Sequence, residues 1–283
     1  MAIILDGKGL REKLLAELKL KIDALVKKPS LAVILVGDDA ASKIYVNNKR
    51  KTAEKLGITS QVIEYPANTP EATIISKINE LNQDASVNAI LVQLPLPEHI
   101  NKQRVINSIS PQKDVDCFTL ENYGKLATGL EPAVYPCTPK GILLLLDEYG
   151  IDLDGKRVVV VGRSNLVGKP MALMALKRNA TVTVCHSHTK NLAKIIKTAE
   201  VIISAVGEVL IEENMVSENC VIIDVGIFRD VSGKIRGDVE FETVAPKVSY
   251  ISPVPGGVGP MTITALMLNT YELYLRQNER SLQ

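Results

Sequence analysis

Four consecutive valines, Val158 to Val161, run straight into Gly162-Arg163-Ser164-Asn165-Leu166-Val167-Gly168-Lys169-Pro170. An unbroken β-branched run reads as a strand buried on both faces, as found in parallel sheets covered by helices. The glycine turn and the helix expected from Lys169 to Arg178 complete a strand–turn–helix unit. Such a unit turns backbone N–H groups and the positive end of a helix toward an anion. The segment therefore reads as a pyrophosphate cradle. It is not a full G-x-G-x-x-G, because Ser164 stands where the second glycine would be, and a glycine turn without a ligand would read alike.

The same alternation fills the rest of the chain. Arg11 to Val26 predicts an amphipathic helix, and Leu31 to Val36 a buried strand ending at Gly37. Asp38 and Asp39 open a helix to about Leu56, with Gly57 as its stop. Val62 to Tyr65 and Ala89 to Leu94 predict strands, and between them Pro70 starts a helix through Leu81. The pattern restarts after residue 138. Thr138-Pro139 reads as a cap followed by a first-turn proline, and Gly150 ends that helix. Strands are expected at Arg157 to Val161, Thr181 to Cys185, Val201 to Ser204 and Val221 to Val225. A last helix, Met261 to Arg276, follows the second domain in sequence but could pack back on the first. A chain of 283 residues, 46% of them hydrophobic, is near the size at which one core becomes two. The expected fold is α/β in two domains with parallel sheets, divided near residue 139.

With 33 basic and 32 acidic residues and no long run of one sign, a nucleic-acid footprint or membrane-surface patch is not expected. The apolar start, Met1 to Asp6, lacks the basic beginning and cleavage site of a signal peptide, and no apolar stretch is long enough for a bilayer. A soluble, cytoplasmic protein is expected. Cys117, Cys137, Cys185 and Cys220 show no C-x-x-C spacing, so free thiols in a reducing compartment are expected. Cys185, His186 and His188 lie at a strand end whose side chains alternate between faces, so no metal site is expected there.

The cofactor preference can be read from the strand after the glycine turn. Binding of NAD usually uses a carboxylate at its end to hold the ribose hydroxyls. Here the strand ends Cys185-His186-Ser187-His188-Thr189, with none. Arg163 and Ser187 could instead meet a ribose phosphate, which predicts NADP over NAD.

In the first half, Tyr45 and Lys49 are four residues apart on one helix and share a face near the carboxyl ends of the strands. Gln93 ends an apolar strand in Val92-Gln93-Leu94-Pro95-Leu96-Pro97, where a buried amide needs a partner. Lys113-Asp114-Val115-Asp116 adds two carboxylates, and either one also suits a simple turn cap. These segments, with Pro136-Cys137-Thr138-Pro139, Gly162 to Pro170 and Pro253-Val254-Pro255-Gly256-Gly257-Val258-Gly259-Pro260-Met261-Thr262, occur in this order. Together they resemble the bifunctional methylenetetrahydrofolate dehydrogenase/cyclohydrolase family, from Gly7 to the final helix.

The resemblance implies a folate-binding catalytic domain of residues 1–138 plus 262–283, and an NADP-binding Rossmann domain of residues 139–261, with a cleft between them. It implies that Lys49 is the principal acid/base residue, that Tyr45 positions the folate and that Gln93 bonds to Lys49 and sets its state. Asp116 would hold the pterin amino group. Leu94, Pro95, Pro255, Gly256 and Gly259 would line the substrate. Gly162, Arg163, Ser164, Val167, Ser187 and Ile227 would line NADP. Tetrahydrofolate one-carbon derivatives would be the substrates, and a homodimer through the cofactor domain the assembly. Lys8 and Arg11 are candidates to meet the anionic polyglutamate tail. Where the family usually has glycine after the second aspartate this chain has Cys117, which is costly if that position needs φ > 0.

The implied chemistry suits these residues. Hydride removal from the methylene bridge mainly requires donor carbon and nicotinamide to be held face to face. Hydrolysis of the methenyl cation requires proton transfer. Lysine, with a free pKa of about 10.4, would have to shift by about three units to serve. The other readings are a monofunctional NAD(P)-dependent methylenetetrahydrofolate dehydrogenase, a two-domain dehydrogenase acting on another substrate, and a non-catalytic dinucleotide-binding protein.

Overall fold

The computed structural model describes residues 2–230 and 232–280. Among these residues, chain contacts define two compact units. One comprises Leu14–Cys137 and the described residues from Ile263. The other comprises Thr138–Thr262 and the described residues up to Lys13.

The chain opens with strand β1 (Ile3–Ile4) and helix α1 (Gly7–Asp23), which begins four residues earlier than the sequence suggests. Then follow β2 (Ser30–Val36), α2 (Ala40–Leu56), β3 (Thr59–Tyr65), α3 (Glu71–Gln83), β4 (Ala89–Val92), α4 (Lys102–Asn107) and α5 (Leu120–Ala127). The three strands form a parallel sheet in the order β3-β2-β4. Alternate residues of β2 serve opposite faces, as strand geometry requires. Leu31, Val33 and Leu35 pack in a core with Val46 and Leu56 of α2, while Ala32, Ile34 and Val36 pack with Ile74 and Ile78 of α3. The ends of α2 follow from local chemistry. Asp39 Oδ1 accepts from Ser42 N at 2.7 Å, and Gly57, at φ 80°, closes the helix in the left-handed region. After α4 the chain returns beside β4. Ile90 N donates to Lys113 O at 2.7 Å, and Ile90 forms a parallel bridge with Asp114. That bridge fixes where Asp116 emerges.

The second unit contains α6 (Cys137–Glu148), β5 (Arg157–Val161), α7 (Gly168–Lys177), β6 (Thr181–Cys185), α8 (Leu192–Ile196), β7 (Val201–Ser204), β8 (Val221–Asp224), β9 (Phe228–Arg229), β10 (Ile235–Arg236), α9 (Phe241–Val244) and β11 (Tyr250–Ile251). Its sheet is parallel, in the order β1-β11-β8-β7-β5-β6, and β9 and β10 form a separate antiparallel hairpin. Val159, Val161, Ile202, Ile222 and Ile251 share one core. Because α6 begins at Cys137, Thr138 lies inside the helix rather than capping it.

The chain ends in α10 (Val258–Arg280), whose residues from Ile263 pack within the first unit, with Leu266 and Leu273 in the core of β2. The division differs from the sequence expectation at the N-terminus, where residues up to Lys13 belong to the second unit rather than to 1–138. The cause is strand pairing: Ile3 and Ile4 register with Tyr250 and Ile251, and Leu5, fully buried, donates its N–H to Ile251 O at 2.9 Å. Among the described residues no helix is long and apolar enough to cross a membrane. All four cysteines are buried and lie outside any disulfide bond.

Candidate active site

The βα unit β2–α2 puts Lys49 on the helix that leaves the carboxyl end of the central strand, one turn after Tyr45. Gln93 follows β4, and its backbone N–H still donates to Ile34 O at 2.9 Å, so it too sits at the carboxyl end of the sheet. Lys49 Nζ donates to Gln93 Oε1 at 2.9 Å, and Gln93 Nε2 donates to Leu94 O at 2.7 Å. The second bond fixes which end of the amide faces the lysine. Burial lowers the Lys49 pKa from its ordinary value, while Asp116 and Cys137 pull it back up. Burial raises the Asp116 carboxyl, opposed by Lys49 and by a bond from Cys137. Lys49, Gln93 and Asp116 are thus brought together. Tyr45 is 42% exposed, leaving its ring face accessible. Leu94 is half-buried and Pro95 exposed, joined by a cis peptide.

The two aspartates of Lys113-Asp114-Val115-Asp116 have separate jobs. Asp114 is buried and accepts from Thr119 N at 2.9 Å, Thr119 Oγ1 at 2.8 Å, Phe118 N at 3.2 Å and Asn122 Nδ2 at 3.1 Å. It builds the turn, and Asp116 faces the lysine. Within this turn, directly after Asp116, Cys117 is buried and at φ 61°. The backbone here does take the conformation for which glycine is suited, at a cost to cysteine of about 1 kcal/mol or more.

Sequence reasoning missed two supporting residues. Cys137, which bonds to Asp116, also donates to Val115 O at 3.5 Å. Asn269, fully buried on α10, donates through Nδ2 to Val115 O at 2.9 Å, Tyr135 O at 2.8 Å and Cys137 Sγ at 3.4 Å. The signal was present: a lone asparagine in an apolar helix stretch must find partners.

In the second unit Gly162, Arg163, Ser164 and Val167 lie between the carboxyl end of β5 and the start of α7, Ser187 follows β6, and Ile227 follows β8. A Cβ on Gly168 would lie 2.1 Å from Gly162 O, so only glycine lets the helix start this close to the strand end. Ser164 Oγ accepts from Val167 N at 3.1 Å and Gly168 N at 3.4 Å, holding the turn in place of the missing glycine. Arg163, Ser164 and Ser187 are exposed, and Ile227 is 47% exposed. The turn His186–Thr189 is closed by His186 N donating to Thr189 Oγ1 at 2.8 Å.

Pro255, Gly256 and Gly259 belong to this second unit, whereas Tyr45, Lys49, Gln93, Leu94, Pro95 and Asp116 belong to the first. Gly256 has φ 115°, and its carbonyl accepts from Lys8 N at 3.0 Å. Lys8 and Arg11 both lie near the start of α1.

The catalytic-domain model of the tetrahydrofolate dehydrogenase/cyclohydrolase family matches residues 5–116, and the NAD(P)-binding-domain model of the same family matches residues 136–278. The chain is 54% identical over 282 residues to the bifunctional protein FolD of Aquifex aeolicus (strain VF5), covering 98% of this chain and 97% of that protein. The crystal structure of the bifunctional methylenetetrahydrofolate dehydrogenase/cyclohydrolase FolD from Campylobacter jejuni matches with a TM-score of 0.95 at 49% identity, covering 98% of this chain and 100% of the other. The dehydrogenase-cyclohydrolase of Trypanosoma brucei, solved with NADP cofactor and inhibitor, matches with a TM-score of 0.93 at 35% identity, covering 97% and 98%.

Proposed function

The chain belongs to the tetrahydrofolate dehydrogenase/cyclohydrolase family, and from that premise we propose how its residues divide the work. The protein oxidises methylenetetrahydrofolate to the methenyl form with NADP and hydrolyses that product to 10-formyltetrahydrofolate. The observation that carries the reading is the half-buried Lys49, its amine held by the Gln93 carbonyl oxygen and its charge favoured by Asp116.

Gly162, Arg163, Ser164, Val167, Ser187 and Ile227 would hold NADP. The fit rests on the exposed Arg163 in the turn between β5 and α7, a helix of ten residues, and on the absence of any carboxylate from Cys185 to Thr189. When bound, NADP accepts the hydride. The cyclohydrolase step belongs to the first unit's own groups. Neutral Lys49 takes one proton from the water that adds to the methenyl carbon and returns it to the ring nitrogen as the carbon–nitrogen bond breaks, while the remaining hydroxyl proton leaves to solvent as the formyl C=O forms. Gln93 Oε1 accepts an N–H from the amine and aims its lone pair. Asp116 holds the pterin amino group, Tyr45 supports the ring, and Leu94, Pro95, Pro255, Gly256 and Gly259 line the substrate. The expected form is a cytoplasmic homodimer, supported by β6, one of the two edge strands of its sheet, with Val184 39% exposed.

The test follows NADPH and the methenyl species separately in purified protein given methylenetetrahydrofolate and NADP. NADPH rising without methenyl accumulation is expected. Accumulation of methenyl would leave a dehydrogenase alone and remove the role given to Lys49. No NADPH, with NAD equally silent, would overturn the activity.

A further inference from the structure

Behind the carboxyl ends of β7 and β8 lie two carboxylates that the proposed chemistry does not use. Asp238 is fully buried and Asp224 nearly so, on the connection after β10 and at the end of β8 respectively. Asp238 accepts from Ser204 Oγ at 2.8 Å, Val206 N at 2.7 Å and Gly207 N at 2.8 Å. Asp224 accepts from Gly226 N at 3.0 Å, Asp238 N at 2.9 Å and Val239 N at 3.1 Å. Their donors are turn N–H groups and one hydroxyl. The space they occupy is reserved for them. A Cβ on Gly226 would lie 1.8 Å from Asp238 Oδ1, and one on Gly237 would lie 2.1 Å from Asp224 Oδ2.

Burying two adjacent carboxylates is an expensive way to hold a core together, and apolar side chains of similar volume commonly do it as well or better. What the carboxylates supply is placement of particular N–H groups. Val206 and Gly207 have left the sheet after β7, and Gly226 has left it after β8. These are the positions at which open parallel sheets meet their ligands. On these same two turns sit two large apolar side chains that remain in the open, Val206 at 43% exposure and Ile227 at 47%. Exposed apolar groups on rigidly anchored turns suit the face of a flat ring.

We infer that Asp238, backed by Asp224, is a positioning residue for the dinucleotide: it fixes the turns after β7 and β8 so that Val206 and Ile227 form an apolar platform for the nicotinamide half. The inference rests on the cofactor reading above. The two aspartates never touch the cofactor and act only through the turn amides.

The test is Asp238→Asn, which keeps the volume but turns an N–H₂ toward one of the turn donors. NADP affinity by titration calorimetry should weaken by about tenfold or more, the scale of one hydrogen bond to a charged group. Hydrogen exchange of the Val206 and Gly207 amides in the protein without NADP should accelerate. Cyclohydrolase turnover, which takes no electrons, serves as the internal control and should stay within about twofold. Unchanged NADP affinity would overturn the inference, and so would parallel loss of both activities with a lowered melting temperature, which marks a merely structural role. Should Asp238→Asn fail to fold, Ser204→Ala removes one of the three bonds and should weaken NADP binding by a smaller factor. Equal affinity there would overturn the inference as well. Failure of the wild-type protein to bind NADP would instead sink the cofactor reading itself.

Discussion

At residue scale the candidate site turns on competing effects at one amine. Burial strips water from Lys49 and disfavours its charge, while Asp116 and Cys137 favour it. The direction is downward, toward the range where a lysine can exchange protons near neutrality, and a bound methenyl cation would push it further. Lys49→Met keeps an unbranched stem but removes proton exchange. Cyclohydrolase turnover should fall by about a hundredfold or more, the usual weight of a positioned acid/base, while NADP affinity stays within about twofold. Stopped assays at fixed NADP check the first and calorimetry the second, and a parallel fall would point to damage to the fold. A second residue-scale prediction concerns Asp224. Burial chiefly, with the Asp238 charge adding and backbone N–H bonds opposing, pushes its carboxyl up to about 7 from 3.8. A carboxyl whose folded pKa is raised holds its proton longer in the native state than in the unfolded one. Stability should therefore fall as pH rises from about 4 to about 7 and then level off, by at most about 4 kcal/mol for a shift of this size. Denaturant midpoints across that range should slope less steeply in Asp224→Asn than in the parent. Identical slopes would mean that the group titrates normally.

At element scale, the parts legible in the sequence are those whose signals are local. The buried runs of β2 and β5 and the caps Asp39 and Gly57 on α2 needed nothing from elsewhere in the chain. The elements not foreseen are short or defined by distant partners. Helices α4 and α5 are under three turns, too brief for periodicity to speak, and are set by the caps of Asn101 and Thr119. Strand β11 is two residues long and exists because it pairs with β1 and β8, whereas the apolar run that holds β1 reads as strand-like in the sequence. The site shows the same limit. Tyr45, Lys49 and Gln93 carried a recognisable order; Asp114 and Asp116 read alike from spacing alone, the resemblance singled out Asp116, and the turn shows what Asp114 does instead. Asn269 and Asp238 act mainly on backbone groups, and no motif announces Asp238. A prediction belongs to the β5–α7 turn. Gly168→Ala would set a methyl 2.1 Å from Gly162 O, backbone against side-chain root, with no flexible end to swing aside. The helix must slide from the strand end, at a cost of about 3 kcal/mol in chemical denaturation and with weakened NADP binding. A variant with parental stability and affinity would show that the turn yields freely.

At the scale of the whole molecule, the chain is interleaved rather than divided once. It passes from one compact unit to the other near Lys13, again near Cys137 and again near Thr262. Neither unit can therefore be excised as one continuous piece with its contacts intact. For the second unit, the segment lost by cutting at residue 139 carries β1, which covers the edge of β11, and Leu5, which is fully buried. Leu5→Ala in the full chain should cost about 3 kcal/mol, the usual loss for a buried leucine. A fragment of residues 139–261 alone should be weaker still. It would present the bare edge of β11 to other chains as well as the Leu5 void, and should aggregate at concentrations where the full chain does not. Fusing residues 1–13 to its start through a flexible glycine–serine linker restores the strand and the leucine together. The fused fragment should exceed the bare one by about 2 kcal/mol or more in denaturant unfolding, since it regains a buried leucine and a paired edge. Equal stability of the two fragments would show that β1 contributes nothing to the unit it pairs with. The gain expected here would show that the first thirteen residues fold with a sheet encoded more than a hundred positions later.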